Sequence, residues 1–107
     1  MTNVKLVKFQ FKPNAKQIWL DWSEELKRRK EEVVATLKNE GVVSESCFIS
    51  NDGLEVFYFM EAEDFEKARK AVTETPHPID VDHKKARESS LELVERMDPL
   101  FHFENRD

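Results

Sequence analysis

The sequence predicts an α+β domain in which one antiparallel sheet is covered by amphipathic helices. Between Asn14 and Gly41, apolar residues recur at spacings of three and four, which predicts one long helix with a single apolar stripe. Segments rich in β-branched and aromatic residues precede and follow this helix, as strands do. Because the apolar stripe needs a partner surface, we expect these strands to form a sheet beneath it.

Length and charge narrow the class of protein. The chain has 107 residues, so we expect one domain over residues 1–107. Its 17 basic and 22 acidic residues give a net charge of −5, which argues against a nucleic-acid partner. Cys47 is the only cysteine, and the N-terminus carries no apolar signal core. No apolar run approaches the length of a membrane span, so we expect a cytoplasmic protein with no membrane partner.

The long helix is marked at both ends. Asn14 followed by Gln17 resembles a capping box, and Gly41 stands where a left-handed residue would end the helix. The apolar stripe between them consists of Ile18, Trp22, Leu26, Val33 and Leu37, and Trp19 flanks it.

Three strands are predicted around this helix, over residues 4–11, 42–50 and 54–61. The second and third are joined by a hairpin turn over residues 50–53, which has the composition of such turns. The first and third carry apolar residues on both faces, as strands covered on two sides do, so we expect these two at the centre of the sheet.

Two further helices and a final strand are predicted in the second half of the chain. Acidic residues at positions 63, 64 and 66 mark the start of one helix, which stops before Pro76. Asp80 is a plausible N-cap for the next helix, which we expect to continue until Pro99 ends it. Residues 100–103 would then form a short last strand.

The resulting order is strand, helix, strand, strand, helix, helix, strand. This is the split βαβ pattern of a ferredoxin-like domain, with a four-stranded antiparallel sheet and an extra helix before the last strand. Helices cover one face of such a sheet, and the other face would expose a large apolar patch in a monomer. We therefore expect a homodimer through the sheet face, as in a dimeric α+β barrel.

Four segments carry a resemblance to a known family. They are the Trp19 and Trp22 pair, residues 24–33 (EELKRRKEEV), residues 41–46 (GVVSES) and residues 77–83 (HPIDVDH). With this topology, residues 4–94 resemble a family of short uncharacterised proteins, a domain of unknown function within the dimeric α+β barrel superfamily. More remotely, the chain is similar to sugar mutarotases, antibiotic-biosynthesis monooxygenases and haem-degrading monooxygenases. The resemblance implies a ligand pocket between sheet and helices, and it transfers no catalytic residue.

His77, Asp80 and His83 form the sharpest cluster of chemical side chains. One interpretation makes the histidines acid and base, because their pKa lies near neutrality, with Asp80 fixing a tautomer. Two histidines and a carboxylate also match a known zinc or iron pattern, but the spacing fits no standard motif, and we expect no metal and no cofactor. In the structural alternative, Asp80 caps a helix and the histidines satisfy backbone groups.

Four other residues are candidate ligand-binding groups: Trp22, Arg29, Tyr58 and Arg87. Arg29 lies on the apolar face of the long helix, so it needs either an anionic ligand or an internal acidic partner, for which Glu45 and Glu61 are candidates. Arg87 has the same two interpretations. Trp22 and Tyr58 are suited to stacking on a flat ligand, and equally to the core.

These observations favour a protein that binds a small polar metabolite, such as a sugar or a hydroxy acid. Catalysis would be a mutarotase-like isomerisation that uses His77 and His83 for proton transfer. A non-catalytic ligand-binding or interaction module is the first alternative. A cofactor-independent monooxygenase is the second, and it would need a mostly apolar pocket for an oxidisable aromatic substrate.

Overall fold

The computed structural model describes residues 1–106, which form four strands and four helices. The strands are β1 (Asn3–Phe11), β2 (Val42–Ile49), β3 (Glu55–Ala62) and β4 (Leu91–Met97). The helices are α1 (Lys16–Arg28), α2 (Lys30–Glu40), α3 (Phe65–Glu74) and α4 (Pro78–Ser90). No helix of residues 1–106 is long and apolar enough to cross a membrane.

The strands form one antiparallel sheet in the order β2-β3-β1-β4. The two strands with apolar residues on both faces are therefore central, as predicted. The β2–β3 hairpin closes where Gly53 takes a left-handed conformation with φ 73° and donates its N–H to the Ser50 carbonyl over 2.9 Å. The ferredoxin-like α+β fold expected from the sequence is confirmed.

The predicted long helix is two helices, which is the first correction. Arg29 has φ −106° and ψ 34°, which leaves the helical region and separates α1 from α2. The break allows α1 to pack against α4 while α2 packs against α3 and β2. The start also differs from the prediction, because Ala15 is the N-cap and Asn14 lies in the left-handed region with φ 59°. Gly41 ends α2 with φ 73°, as the sequence predicted.

The last strand is the second correction. Helix α4 ends at Ser90, and the strand begins at Leu91, whereas residues 100–103 form neither helix nor strand. The spacing of Leu93, Val94 and Met97 fits either a helix or a bulged strand. The strand prevails because β4 pairs with the edge of β1 that β3 leaves free, which satisfies its backbone groups.

The helix-facing side of the sheet holds two apolar clusters. In the first, buried Trp19, Val56 and Leu91 pack with Phe9, Phe11 and Tyr58, among others. In the second, buried Val42, Ala62 and Ala68 pack with Leu37, Met60 and Phe65. The candidate site lies between the first cluster and the helices above it.

Within residues 1–106, no helix lies on the opposite face of the sheet. Its apolar side chains are only partly buried or exposed, and they include Val4, Leu6, Phe48, Phe57, Phe59 and Met97. The C-terminal segment, residues 98–106, attaches at one end of this open face. There the buried Glu61 carboxylate accepts hydrogen bonds from Arg106 over 2.6 Å and from Thr2 over 2.6 Å. Thr2 also donates to Glu104 over 2.7 Å.

Candidate functional site

A cavity of about 850 Å³ lies between the sheet and the helices. Side chains of α1, α2, β2, β3 and α4 line it. We call its buried and half-buried residues the inner wall, and its exposed residues the rim. The apolar part of the inner wall is Trp19, Leu20, Leu26, Val33, Leu37, Val56 and Ile79. Its polar part is Ser23, Thr36, Glu40, Glu45, Tyr58, Asp80 and His83. The volume and the mixed lining are those of a small-molecule pocket.

The His83 ring is held by other aromatic residues. The indole N–H of Trp22 donates to Nδ1 of His83 over 2.9 Å, and the Tyr58 hydroxyl lies 3.3 Å from Nε2. The ring centroid of Trp19 lies 5.6 Å from that of His83. Because Nδ1 accepts a hydrogen bond, the neutral ring carries its proton on Nε2.

Burial lowers the pKa of His83 to about 4, with a further contribution from the positive charge of Arg87 and a smaller opposing one from Asp80. The ring is therefore neutral at pH 7. Burial also raises the pKa of Tyr58 well above its usual value, and the negative charge of Glu45 acts in the same direction. Neither group is charged at pH 7.

Three carboxyl groups complete the inner wall. The Thr36 hydroxyl contacts both oxygens of Asp80, at 2.7 and 2.8 Å, and one oxygen of Glu40 at 3.2 Å. Burial, followed by the charges of Asp80 and Glu45, raises the pKa of Glu40 to about 7. Burial also raises the pKa of Glu45, and the Tyr58 hydroxyl opposes this rise. Glu40 thus exchanges a proton near neutral pH.

The predicted catalytic residues are only partly brought together. Asp80 and His83 line the cavity, whereas His77 does not. His77 is the N-cap of α4, and its backbone N–H donates to Asp80 Oδ2 over 2.8 Å. Asp80 is therefore the third residue of a capping box instead of the N-cap. Its carboxylate bonds to Thr36 and to the backbone, and the partner of the His83 ring is Trp22.

Only one of the four predicted ligand-binding residues lines the cavity. Tyr58 lines the cavity, while Trp22 stands behind His83 and contacts the apolar cluster. Arg29 lies outside the lining. Its guanidinium bonds to Glu32 over 2.8 Å and to Asp82 over 2.9 Å, so its acidic partners differ from the two suggested by the sequence.

The guanidinium carbon of Arg29 also lies 5.8 Å from the Trp22 ring centre. Arg87 is half-buried and outside the lining. It acts on Tyr58 and His83 only through its charge. Neither arginine is placed in the cavity to hold an anionic ligand.

Sequence reasoning gave no site role to Thr36, Glu40 and Glu45. The alternation of β2 contained a signal for Glu45, because it places this residue on the same face as Cys47 and Ile49, whose partners Tyr58 and Val56 face the helices. The i, i+4 spacing of Thr36 and Glu40 was a weaker signal, since such pairs are also common on solvated helix surfaces.

The fold and the cavity define a ferredoxin-like α+β protein with a pocket between its sheet and its helices. The chain belongs to the family described as a family of unknown function (DUF6176), which it matches over residues 2–105. This confirms the resemblance to a domain of unknown function. No curated protein matches the chain.

Several solved structures share the fold. A proposed antibiotic biosynthesis monooxygenase from Bacteroides thetaiotaomicron is 15% identical with a TM-score of 0.64, and the match covers 99% of this chain and 94% of that one. A dimeric ferredoxin-like protein from an uncultured marine organism is 12% identical with a TM-score of 0.62, covering 99% and 95%. SnoaB, a cofactor-independent oxygenase from Streptomyces nogalater, is 11% identical with a TM-score of 0.57, covering 99% and 98%. At these identities the likeness shows the fold alone.

Proposed function

We propose that the protein binds a small molecule with an apolar body in the cavity between α1, α2, α4 and the sheet. The observation that supports this most is the cavity itself, which joins an apolar wall to a compact polar group that includes His83, Tyr58 and Thr36. Such a pocket buries the body of a ligand and orients it through a few hydrogen bonds. A sugar has little apolar surface to match this wall.

Binding of the neutral naphthalene dye prodan tests this proposal. We expect saturable 1:1 binding, seen as a blue shift and an increase in dye fluorescence. Val33→Trp fills the cavity from α2 and should abolish binding, while Val81→Trp, at an exposed position of α4, should not. Circular dichroism verifies that both variants fold, and Leu26→Trp provides a second filling variant. Equal binding by wild type and both folded filling variants would refute the pocket.

Cofactor-independent oxygenation is the second candidate, and the buried carboxyl groups favour it. Such a reaction needs a base that removes a proton from an electron-rich aromatic substrate, so that the resulting anion can reduce O₂. Glu45 has a raised pKa and interacts with Tyr58 in the inner wall, which suits it to this role. The structural similarity to SnoaB, described as a cofactor-independent oxygenase, also supports this candidate.

Oxygen uptake tests this candidate. With anthrone as the probe, one atom of O₂ becomes the new carbonyl oxygen of anthraquinone, and the other takes up the two hydrogens of the oxidised carbon and leaves as water. We expect uptake above the uncatalysed rate and a loss of the excess in Glu45→Gln, with exposed Glu31→Gln as the control. An uptake rate equal to that of buffer would reject it.

The mutarotase-like isomerisation predicted from the sequence has less support. It required His77 and His83 to act on one substrate, and only His83 lines the cavity. The pKa of His83, lowered to about 4, also makes its neutral ring a weak base at pH 7. The similar structures described above are monooxygenase-type or ferredoxin-like proteins.

We further propose that the protein is a homodimer through the open face of its sheet. Phe57 and Phe59 lie on this face without a helix to cover them, and Phe48 is 57% exposed there. A second copy of the same face would bury these rings, and a solved structure with this fold is described as dimeric.

A further inference from the structure

The acidic groups of the inner wall come from three separate elements. Glu40 ends α2, Glu45 lies in β2, and Asp80 lies in the first turn of α4. Glu40 is only 8% exposed, and one of its carboxyl oxygens lies 3.2 Å from the Thr36 hydroxyl. Its other oxygen has no hydrogen-bond partner within residues 1–106 and is accessible from the cavity that the residue lines. An occupant of the cavity can therefore donate a hydrogen bond to it.

No basic side chain within residues 1–106 forms an ion pair with any of these three acids. The charge of Arg87 acts on His83 and Tyr58, but Arg87 does not line the cavity. Lys27 and Lys30 line the cavity as exposed residues of the rim, and Lys27 already bonds to Glu24 over 3.0 Å. The inner wall therefore presents unpaired negative charge to whatever enters the cavity.

The hydrogen bonds of Thr36 show how the inner wall accommodates this charge. A threonine hydroxyl has one proton, so it can donate to Asp80 or to Glu40 at one time, but not to both. If Glu40 carries a proton, it donates to the Thr36 oxygen while Thr36 donates to Asp80, and all contacts are satisfied. The pKa of Glu40, about 7, agrees with this arrangement. The proton on Glu40 thus neutralises negative charge that a cationic ligand would otherwise neutralise.

We propose that the occupant of this cavity is an organic cation: a protonated amine on an apolar, ring-sized body. The inference deepens the proposed function and rests on it. The ammonium group would donate hydrogen bonds to Glu40 and Asp80, and the apolar body would lie against Trp19, Leu26 and Val33. The amine displaces the proton of Glu40, which leaves for solvent. Carboxylate ligands, including hydroxy acids, are repelled.

Three naphthalene probes of matched size test the charge preference by isothermal titration calorimetry at pH 7.5. They are 1-naphthylmethylamine, 1-naphthalenemethanol and 1-naphthoate, which are cationic, neutral and anionic. We expect the amine to bind about tenfold or more tightly than the alcohol, because its charge meets buried carboxylates, and the naphthoate to bind weakest. A further titration at pH 6.5, below the pKa of Glu40, in two buffers of different ionisation enthalpy should show proton release when the amine binds.

Variants assign the effect to the inner wall. Glu40→Gln can still donate to the Thr36 oxygen through its amide N–H but has no proton to release, so it should abolish proton release and reduce the preference for the amine. Glu45→Gln should reduce the preference as well, whereas Glu31→Gln, exposed on α2, should change neither. Circular dichroism confirms folding of each variant.

The outcomes separate this inference from the proposed function. If the naphthoate binds as tightly as the amine in wild type, the cationic preference is wrong and the pocket remains. If no probe binds, the small-molecule pocket itself is refuted, and the inference with it.

Discussion

The indole N–H of Trp22 donates to Nδ1 of His83 over 2.9 Å and fixes the orientation of that ring in the cavity wall. An indole N–H can only donate, so this bond is kept only while Nδ1 carries no proton. The contact links α1 to α4 and makes the neutral form of His83 part of the folded structure.

Wild-type stability should therefore contain a component from His83 that is lost in acid. The pKa of His83 is lowered from 6.5 to about 4 in the folded protein, so between these values the unfolded chain binds a proton that the folded chain does not. This component is fully present above pH 6.5 and falls by up to roughly 3 kcal/mol as the pH drops through 4. Urea unfolding of wild type and His83→Gln at pH 4.5 and 7.5 measures it, and the variant should show a smaller loss. His77→Gln alters a histidine outside the cavity and should lose as much unfolding free energy as wild type between pH 7.5 and pH 4.5. A loss in His83→Gln equal to that of wild type would contradict the assignment.

Glu40 should have the opposite pH dependence. Its pKa is raised from 4.5 to about 7 in the folded protein, so it favours folding below pH 4.5, and this contribution disappears as the pH rises through 7. Glu40→Gln removes the titration, so we expect the variant to gain stability over wild type between pH 5 and pH 8, by up to roughly 3 kcal/mol. Urea unfolding at pH 5 and pH 8 measures the difference in unfolding free energy between Glu40→Gln and wild type, with Glu31→Gln as the matched control. No change in the relative stability of Glu40→Gln with pH would show that Glu40 ionises normally.

The open sheet face should hold two copies together. Light scattering at micromolar concentration should give about twice the mass of 12.6 kDa. Phe57→Glu and Phe59→Glu place a charge on the face, and burying it in the dimer would cost several kcal/mol, so both should dissociate or aggregate. Val81→Glu, on the exposed side of α4, should remain dimeric. A monodisperse wild-type monomer, or an intact dimer in both phenylalanine variants, would place the interface elsewhere or remove it.

The C-terminal segment should be held by the Glu61 carboxylate. The guanidinium of Arg106 is the main cause that lowers the pKa of Glu61 to about 2, from an ordinary value of 4.5. This contribution is present above pH 4.5 and is lost as the pH falls through 2. Glu61→Gln should lower the {1H}-15N heteronuclear NOE of residues 98–106 at pH 7, because the segment loses its anchor, while Glu63→Gln, exposed nearby in sequence, should not. Unchanged NOE values in Glu61→Gln would mean that other contacts hold the segment.

The fold could be predicted from the sequence because the spacing of apolar residues and the residue composition indicate the same type of element over most of the chain. The hairpin glycine, the left-handed Gly41 and the two-faced central strands each have one good interpretation. The region from Ala86 to Met97 has two, because the same apolar residues fit a helical stripe and an alternating strand. Only the pairing with β1 decides between them, and that is a contact distant in sequence.

The residues of the candidate site were harder to predict from the sequence, because their partners are also distant in sequence. His83 and Tyr58 were found because buried aromatic and imidazole groups stand out from the stripe around them. Arg29 stood out equally, but its partner Asp82 lies on another helix, and no local pattern reveals it. Glu40 and Glu45 look like ordinary surface acids until α2 and β2 are placed beside α4.

The hydrogen bond between Thr2 and Glu104, at 2.7 Å, also has a consequence for the connectivity of the domain. Because these residues are neighbours in space, a short linker could join the two ends of the domain without moving either β1 or the C-terminal segment. New ends could then be opened in the exposed turn at Thr75 and Pro76, between α3 and α4. The sheet order β2-β3-β1-β4 would be unchanged in such a circularly permuted chain, in which β1 and β4 become close neighbours in sequence.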